Sequence, residues 1–434
     1  MEKLSKKITL ICKIKNFFFP FYKSKDIKKL FGILEKHEEL KSKNQQVAMF
    51  VGGCVRKFLT NENVDDVDIA SIFSPEEIKE KFENSEFKVI DTGIEHGSVT
   101  LILNSSKFEI TTLRRDVKTD GRHAEVSFTD DWLEDSKRRD FTINAIYMDV
   151  RGKIYDPQNG QQDLRKREIR FIGEPASRIE EDYLRIIRFI RFSIYYNCKQ
   201  FDPDIIESIN LNLSGIKKIS KERILSELYK IFKLKNINNI LVNKDIKNIF
   251  LIIFPEFRYL NRIEKFDYLL KTNIITQTPE DFFSILLIDE KNNFEYFSHK
   301  YNTSNKLKKD LSFIANNYIK FKDEKNYLKK DLKKNIYKFG KTNIKKLITF
   351  IYCAEKFFSV NMLNKLISDV KKIEIPNFPF NGKYVIDQGI KDGKKIGFAL
   401  KEMEKEWIKN NFNLNTQEAN LIIDRVKKLN ILNV

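Results

Sequence analysis

A run of acids set among β-branched residues, Val64-Asp65-Asp66-Val67-Asp68-Ile69, constrains this chain more than any other stretch. Val and Ile favour a strand, and a strand points alternate side chains to opposite faces. Asp66 and Asp68 are therefore expected on one face, spaced to share divalent cations. Just upstream, Phe50-Val51-Gly52-Gly53-Cys54-Val55-Arg56 reads as a strand ending in a glycine pair that opens a helix. Bare backbone N–H groups at such a turn receive phosphate oxygens, with Arg56 beside them. Either feature alone is usually structural, because Asp-x-Asp and Gly-Gly are common turn patterns. In this order, a phosphate cradle followed by a same-face acid pair points to metal-assisted nucleotidyl transfer.

The 434 residues leave room for about two to four domains. A hydrophobic fraction of 41% supplies a core and excludes wholesale disorder. The formal charge of +18 favours an anionic partner such as nucleic acid. Abundant Lys, Asn, Ile and Phe also follow from biased base composition, so a solvated lysine surface explains part of that charge. Cys12, Cys54, Cys198 and Cys353 are scattered without metal-like spacing and read as reduced thiols of a cytosolic protein. Four dispersed histidines offer no zinc site. No apolar run reaches membrane-spanning length. The segment from Lys3 to Phe19 is lysine-rich around Phe17-Phe18-Phe19, but it lacks the long uncharged core of a signal peptide and the arginines of a presequence. A cytoplasmic chain with no membrane and no obligate protein partner is expected.

Apolar spacing predicts a helix over 26–40, leading into a strand at Ala48 to Val51. Ser74-Pro75-Glu76-Glu77 carries the signature of a helix start. Three apolar segments follow, the last two separated by Asn104-Ser105-Ser106, a hairpin signal. Phe108-Glu109-Ile110-Thr111 makes Glu109 a candidate third metal acid and, equally, a solvated strand residue. Arg114 to Val126 is polar and long for a passive connection, and reads as a mobile loop. Asp156 through Leu164 is a turn and then a helix start. From about Ile172 the pattern is almost entirely helical, with one or two helices over 175–197 and another from Ser220 to Lys233. No Gly-x-Gly-x-x-Gly follows the first strand, which argues against a doubly wound dinucleotide fold.

Glu181-Asp182-Tyr183-Leu184-Arg185 is the second informative stretch. Asp182 and Arg185 are three apart, so they are expected side by side on a helix. Such a pair is usually a surface ion pair worth little. Beside a nucleotide it acquires another meaning. Cytosine and adenine both set an exocyclic amino donor next to a ring-nitrogen acceptor, which suits a carboxylate beside a guanidinium. Uracil and guanine present a carbonyl where that amino group stands. Arg188 and Arg191 continue the row, as phosphate or RNA contacts or as structural residues.

These motifs, in this order from about residue 50 to 230, resemble the class II, bacterial-type tRNA nucleotidyltransferase/poly(A) polymerase family and its CCA-adding members. They are Gly52-Gly53-x-Val55-Arg56 with Asp66-x-Asp68, then Arg138-Arg139-Asp140-Phe141-Thr142-x-Asn144-Ala145. Asp156-Pro157 through Gly160 to Asp163-Leu164 follows, then Glu181-Asp182-x-Leu184-Arg185, and last Ser220-x-Glu222-Arg223-Ile224 with Glu227-Leu228. The resemblance implies an α+β chain, a small polymerase-β-type head of mixed sheet and helices followed by an all-α neck, body and tail. The expected division is an N-terminal extension over 1–25, head over 26–165, neck over 166–235, body over 236–375 and tail over 376–434.

By the same resemblance, Asp66 and Asp68 ligate two Mg²⁺ ions, and CTP, ATP and tRNA are the partners. Gly52, Gly53, Arg56 and Arg139 hold phosphates, Asp140 and Asn144 hold ribose hydroxyls, and Asp182 and Arg185 read the base without a nucleic-acid template. Arg115, Asp116, Asp120, Gly121 and Arg122 are the working residues of a flexible loop that helps switch from C to A addition. The family's first motif ordinarily continues with Asp after the arginine, whereas this chain has Lys57. Two outcomes are open there, a weakened site or an added phosphate contact. The alternatives to CCA addition are poly(A) synthesis, partial CC or A addition, and a catalytically silent RNA-binding protein on the same fold.

Overall fold

The computed structural model describes residues 14, 16, 18–36, 46–93, 97–119, 124–276 and 278–429, with the backbone alone at 92, 116–119 and 124–126. The chain divides into two compact units, Met1–Phe282 with Glu295–Ser304, and Phe283–Phe294 with Asn305–Val434.

The first unit opens on helix α1 (Lys25–Leu34), whose Ser24 cap accepts the Ile27 N–H. Its apolar stripe, Ile27, Leu30, Phe31 and Leu34, is buried. Phe31 packs against Phe50 of strand β1 (Ala48–Val51), with ring centroids 4.9 Å apart. All four residues of β1 are buried, as a central strand covered on both faces requires. Helix α2 (Gly53–Leu59) follows at once, then β2 (Val67–Ser71). Helix α3 (Pro75–Phe82) begins in a full capping box between Ser74 and Glu77, a device worth about 1 kcal/mol. Strands β3 (Lys88–Gly93), β4 (Ser98–Leu103) and β5 (Ser106–Thr112) come next, β4 and β5 joined through Asn104 at φ 54°.

The segment expected as a loop is a two-stranded antiparallel ribbon of β6 (Arg114–Thr119) and β7 (Ala124–Phe128). Strand β6 lacks the apolar alternation by which half-buried strands are recognised, whereas Ala124, Val126 and Phe128 do alternate along β7, a short signal that follows a polar run reading as loop. Helix α4 (Trp132–Arg138) is capped by Asp131, and a 3-10 turn at Thr142–Asn144 leads to β8 (Tyr147–Met148) and β9 (Ile154–Tyr155). The main sheet has the order β3-β4-β5-β2-β1-β8-β9. Its ladders are antiparallel except β2–β5, which is parallel and sets Asp68 opposite Glu109. One face of the centre is a cluster of Met49, Val51, Ala70, Leu113 and Tyr147.

Helix α5 (Gly160–Lys166) starts where Asp156 accepts the Gly160 and Gln161 N–H groups. The next helical stretch is two helices, α6 (Pro175–Glu181) and α7 (Leu184–Tyr196), broken at Asp182, whose φ −154°, ψ 101° is extended. Helices α8 (Pro203–Asn212) and α9 (Lys221–Phe232) follow, the latter capped by Ser220.

The regular elements of the second unit are all helices among its described residues. Its last helices, from Gly382 to Lys427, enclose a core of Val385, Met403, Trp407, Ile423 and neighbours. The mixed sheet with a long helical remainder is the α+β architecture expected.

Candidate nucleotide cleft and acid pair

Gly52 links β1 to α2 at φ 71°, ψ −120°, a backbone conformation that a Cβ opposes. Gly53 then brings the main chain against the acids: a Cβ there would stand 3.7 Å from Asp68 Oδ2. The strand β2 begins one residue later than Asp66, which stands exposed at its entry, while Asp68 is half-buried within it. Burial, together with the charges of Glu109 and Asp66, pushes the Asp68 carboxyl above the usual aspartate range, against the pull of Arg56 and Arg139. The donor set is carboxylate oxygen alone, which suits hard divalent cations rather than zinc or copper. Glu109 is exposed beside Asp68, and among the described residues no three His, Cys, Asp or Glu converge closely enough to ligate one ion.

A cleft of about 530 Å³ opens from Gly52 and Gly53 past Asp68. Among the described residues, eight arginines line it: 56, 114, 138, 139, 185, 188, 191 and 223. Several are held by acids. The fully buried Asp135 of α4 receives both Arg138 and Arg139, at 2.7 and 2.9 Å. Burial would raise that carboxyl, but the two guanidiniums and the Tyr147 hydroxyl hold it far below the usual range. Arg139 also donates to Tyr147 Oη at 3.0 Å, so its direction is fixed from the core side.

Asp140, Asn144, Arg56 and Arg188 form one network. Asp140 Oδ1 accepts the Phe141 N–H at 2.9 Å and the Asn144 amide at 2.6 Å. Its Oδ2 takes Arg188 at 2.6 Å. Burial opposes ionisation there, yet Arg188 and these donors bring the Asp140 pKa down to about 2. Arg56 donates to Asn144 Oδ1 and, at 3.0 Å, to the Tyr196 hydroxyl. Phe192 lies beneath Arg56, Arg188 and Arg191, the last 4.3 Å from the ring centroid. Arg191 is held in turn by Glu227 at 2.7 Å.

Asp182 and Arg185 both line the cleft, but they are not side by side on one helix. Asp182 sits at the break, where its Oδ1 accepts the Leu184 N–H at 3.2 Å and its Oδ2 pairs with Arg223 at 2.7 Å. A short polar side chain satisfies the open N–H groups of the following helix best from an extended backbone, and that preference ends α6 there. Arg185 turns instead to Glu181 Oε2 and the Arg178 carbonyl, each at 2.6 Å. Spacing alone did not tie Arg223 to Asp182, since the two lie 41 positions apart.

Of the expected loop residues, Arg115 is exposed on β6 and Asp116 pairs through its backbone with Val126. Asp120, Gly121 and Arg122 lie outside the described residues. Lys57 does not line the cleft; its ammonium is held by Asp65.

The sheet and cleft define a nucleotidyltransferase head. Residues 48–170 match the model of the poly A polymerase head domain, and residues 200–260 the model described as a probable RNA and SrmB-binding site of polymerase A. The mitochondrial CCA tRNA nucleotidyltransferase 1 of Homo sapiens is 31% identical, over 98% of this chain and 97% of its own. The CCA-adding enzyme of Staphylococcus saprophyticus is 30% identical over 83% of this chain and 88% of its own. The Bacillus stearothermophilus CCA-adding enzyme, solved with CTP, shares the fold at a TM-score of 0.66 with 24% identity, over 93% of this chain and 98% of that one. The Thermotoga maritima CCA-adding enzyme, solved with tRNA, gives 0.61 with 18% identity over 97% of each. The chain belongs to the tRNA nucleotidyltransferase/poly(A) polymerase family. Enzymes of this kind generally use divalent metals. No helix among the described residues is long and apolar enough to cross a membrane.

Proposed function

We propose that this protein adds or repairs the 3′-terminal CCA of tRNA without a nucleic-acid template, using CTP and ATP and releasing pyrophosphate. The observation that carries the reading is the meeting of the Gly52-Gly53 turn, the Asp68 carboxylate and a row of anchored arginines in one cleft. Asp66 and Asp68 would hold two Mg²⁺ ions, for which an all-carboxylate donor set is suited. When bound, the metals favour the ionised 3′-hydroxyl and neutralise the leaving pyrophosphate. The chain supplies position and field. The Gly52-Gly53 backbone, Arg56 and Arg139 receive phosphates on groups already fixed by Asn144, Tyr196, Asp135 and Tyr147. Asn144 and Asp140 face the ribose, with Arg188 neutralising Asp140. Asp182 accepts the exocyclic amino group of cytosine or adenine, and Arg185 donates to the neighbouring ring nitrogen.

The division into head over 26–165, neck over 166–235, body over 236–375 and tail over 376–434 belongs to the same reading. It gives the helical remainder contact with tRNA phosphates. The loop residues Arg115, Asp116, Asp120, Gly121 and Arg122 are assigned to the switch from C to A. A cytoplasmic site is supported by Cys54, Cys198 and Cys353, which are buried and held in no disulfide among the described residues, as suits a reducing compartment. Imaging of the tagged full chain distinguishes it from the mitochondrial address that the human relative's name carries.

The test is incorporation on a tRNA ending at the discriminator base, with CTP alone, ATP alone and both, beside an unstructured oligo(A). Addition of C, C and A, stopping there and only on tRNA, is expected. Long A tails on either RNA would move the reading to poly(A) polymerase, which the head-domain description also admits. A single A only on tRNA already ending in CC would make it a partial enzyme. Tight tRNA binding without incorporation would leave a silent RNA-binding protein.

A further inference from the structure

Lys57 stands on α2 immediately after Arg56, where the family pattern carries an acid, and its side chain turns away from the cleft. Its ammonium hydrogen-bonds Asp65 Oδ1. The same oxygen accepts the Asp66 N–H at 3.2 Å. Asp65 therefore bridges the helix that begins at the glycine cradle and the backbone of the first acid. The loop between them is fastened elsewhere too. Glu62 N–H donates to the Lys57 carbonyl at 2.7 Å, Thr60 Oγ1 to Glu62 Oε1 at 2.6 Å, and the Tyr195 hydroxyl to Glu62 Oε2. The Lys57 side chain is 28% exposed and that of Asp65 63%, so the ion pair adds little to stability. Its consequence lies in where Asp66 is held.

We propose that Lys57, acting through Asp65, is a positioning residue for the acid pair: it sets the place of Asp66 relative to the Gly53 helix and touches no phosphate. The inference rests on the assignment of Asp66 and Asp68 as metal ligands. It separates the two outcomes left open for Lys57, because an ammonium held by Asp65 is not free to meet a triphosphate.

The sign of one measurement discriminates. Removing a cation near a metal site strengthens metal binding by Coulomb attraction alone, whereas removing a support weakens it. The full-length protein without nucleotide is titrated with Mn²⁺, following the free-ion paramagnetic resonance signal, alongside thermal melting. Lys57→Met is expected to weaken Mn²⁺ binding about tenfold with an unchanged melting temperature. Lys57→Arg, which keeps the pair, should retain the affinity. In an Asp65→Asn background, Lys57→Met should cost nothing more. Unchanged or tighter Mn²⁺ binding by Lys57→Met overturns the proposal, as does an equal loss in both backgrounds. Asp66→Ala is the reference: if it binds Mn²⁺ like the parent, the ligand assignment itself fails and the proposal falls with it.

Discussion

Arg188 Nε and Nη2 both lie 2.6 Å from Asp140 Oδ2, joining helix α7 to the segment after α4. The Asp140 value of about 2 lies below the ordinary 3.8, so this pair contributes stability above the ordinary value. That contribution is lost as pH falls through about 2. Arg188→Ala leaves the mostly buried Asp140 carboxylate without its cation, with only the Phe141 N–H and the Asn144 amide as donors. We expect a loss of about 3 kcal/mol in denaturant unfolding at pH 7. Acid unfolding should also move to higher pH. Unfolding curves that superimpose on the parent's would contradict the pairing.

Asp68 has the opposite sign. Its folded pKa is raised, by burial first and then by Glu109 and Asp66, so its ionisation costs the metal-free chain stability at neutral pH. Asp68→Asn removes that cost. It should melt higher than the parent at pH 7 without added metal, and the gain should vanish well below the ordinary aspartate value. Incorporation should fall by more than about 100-fold, since even outer partners of a metal matter on that scale. A variant that melts lower at pH 7 would refute this account of the site.

The two groups proposed to read the base are each held by a protein partner, Asp182 by Arg223 and Arg185 by Glu181. Arg223→Met releases Asp182 to other orientations while leaving the Leu184 cap in place. The expected result is about a tenfold loss in kcat/KM for CTP and ATP with a smaller loss for UTP and GTP, so discrimination shrinks. Equal losses for all four nucleotides would assign Arg223 to phosphate binding instead.

Gly215 touches the same region from behind. A Cβ there would run into the ring of Tyr183, the residue between Asp182 and Leu184. Gly215→Ala must displace that ring and with it the start of α7. We expect destabilisation of about 1–3 kcal/mol and reduced nucleotide selection. Unchanged melting and selectivity would show that Tyr183 moves freely.

Local signals carried much of this structure. The burial of β1, the Ser74 capping box, the Asn104 hairpin and the helix over Lys221–Phe232 are set by residues adjacent in the chain, so spacing exposes them. In the ribbon of β6 and β7 the first strand is polar and shows no apolar face, while the alternation of Ala124, Val126 and Phe128 along the second is a strand signal too short to stand out behind that polar run. The break at Asp182 was hidden because an uninterrupted helical pattern runs across it, and only cap geometry chooses where the helix stops.

By itself, then, the sequence determined the parts: the glycine cradle, the acids on and beside β2, the arginine-rich motifs and the helical remainder. Their order suffices because periodicity and turn chemistry are short-range. Pairing belongs to the tertiary structure. That Asp182 meets Arg223, that Arg185 meets Glu181, that Arg188 neutralises Asp140 and that Lys57 reaches Asp65 depend on which side chains the packed helices bring within a few ångströms. A guanidinium or ammonium can serve any carboxylate within reach, and only the fold limits which ones are in reach.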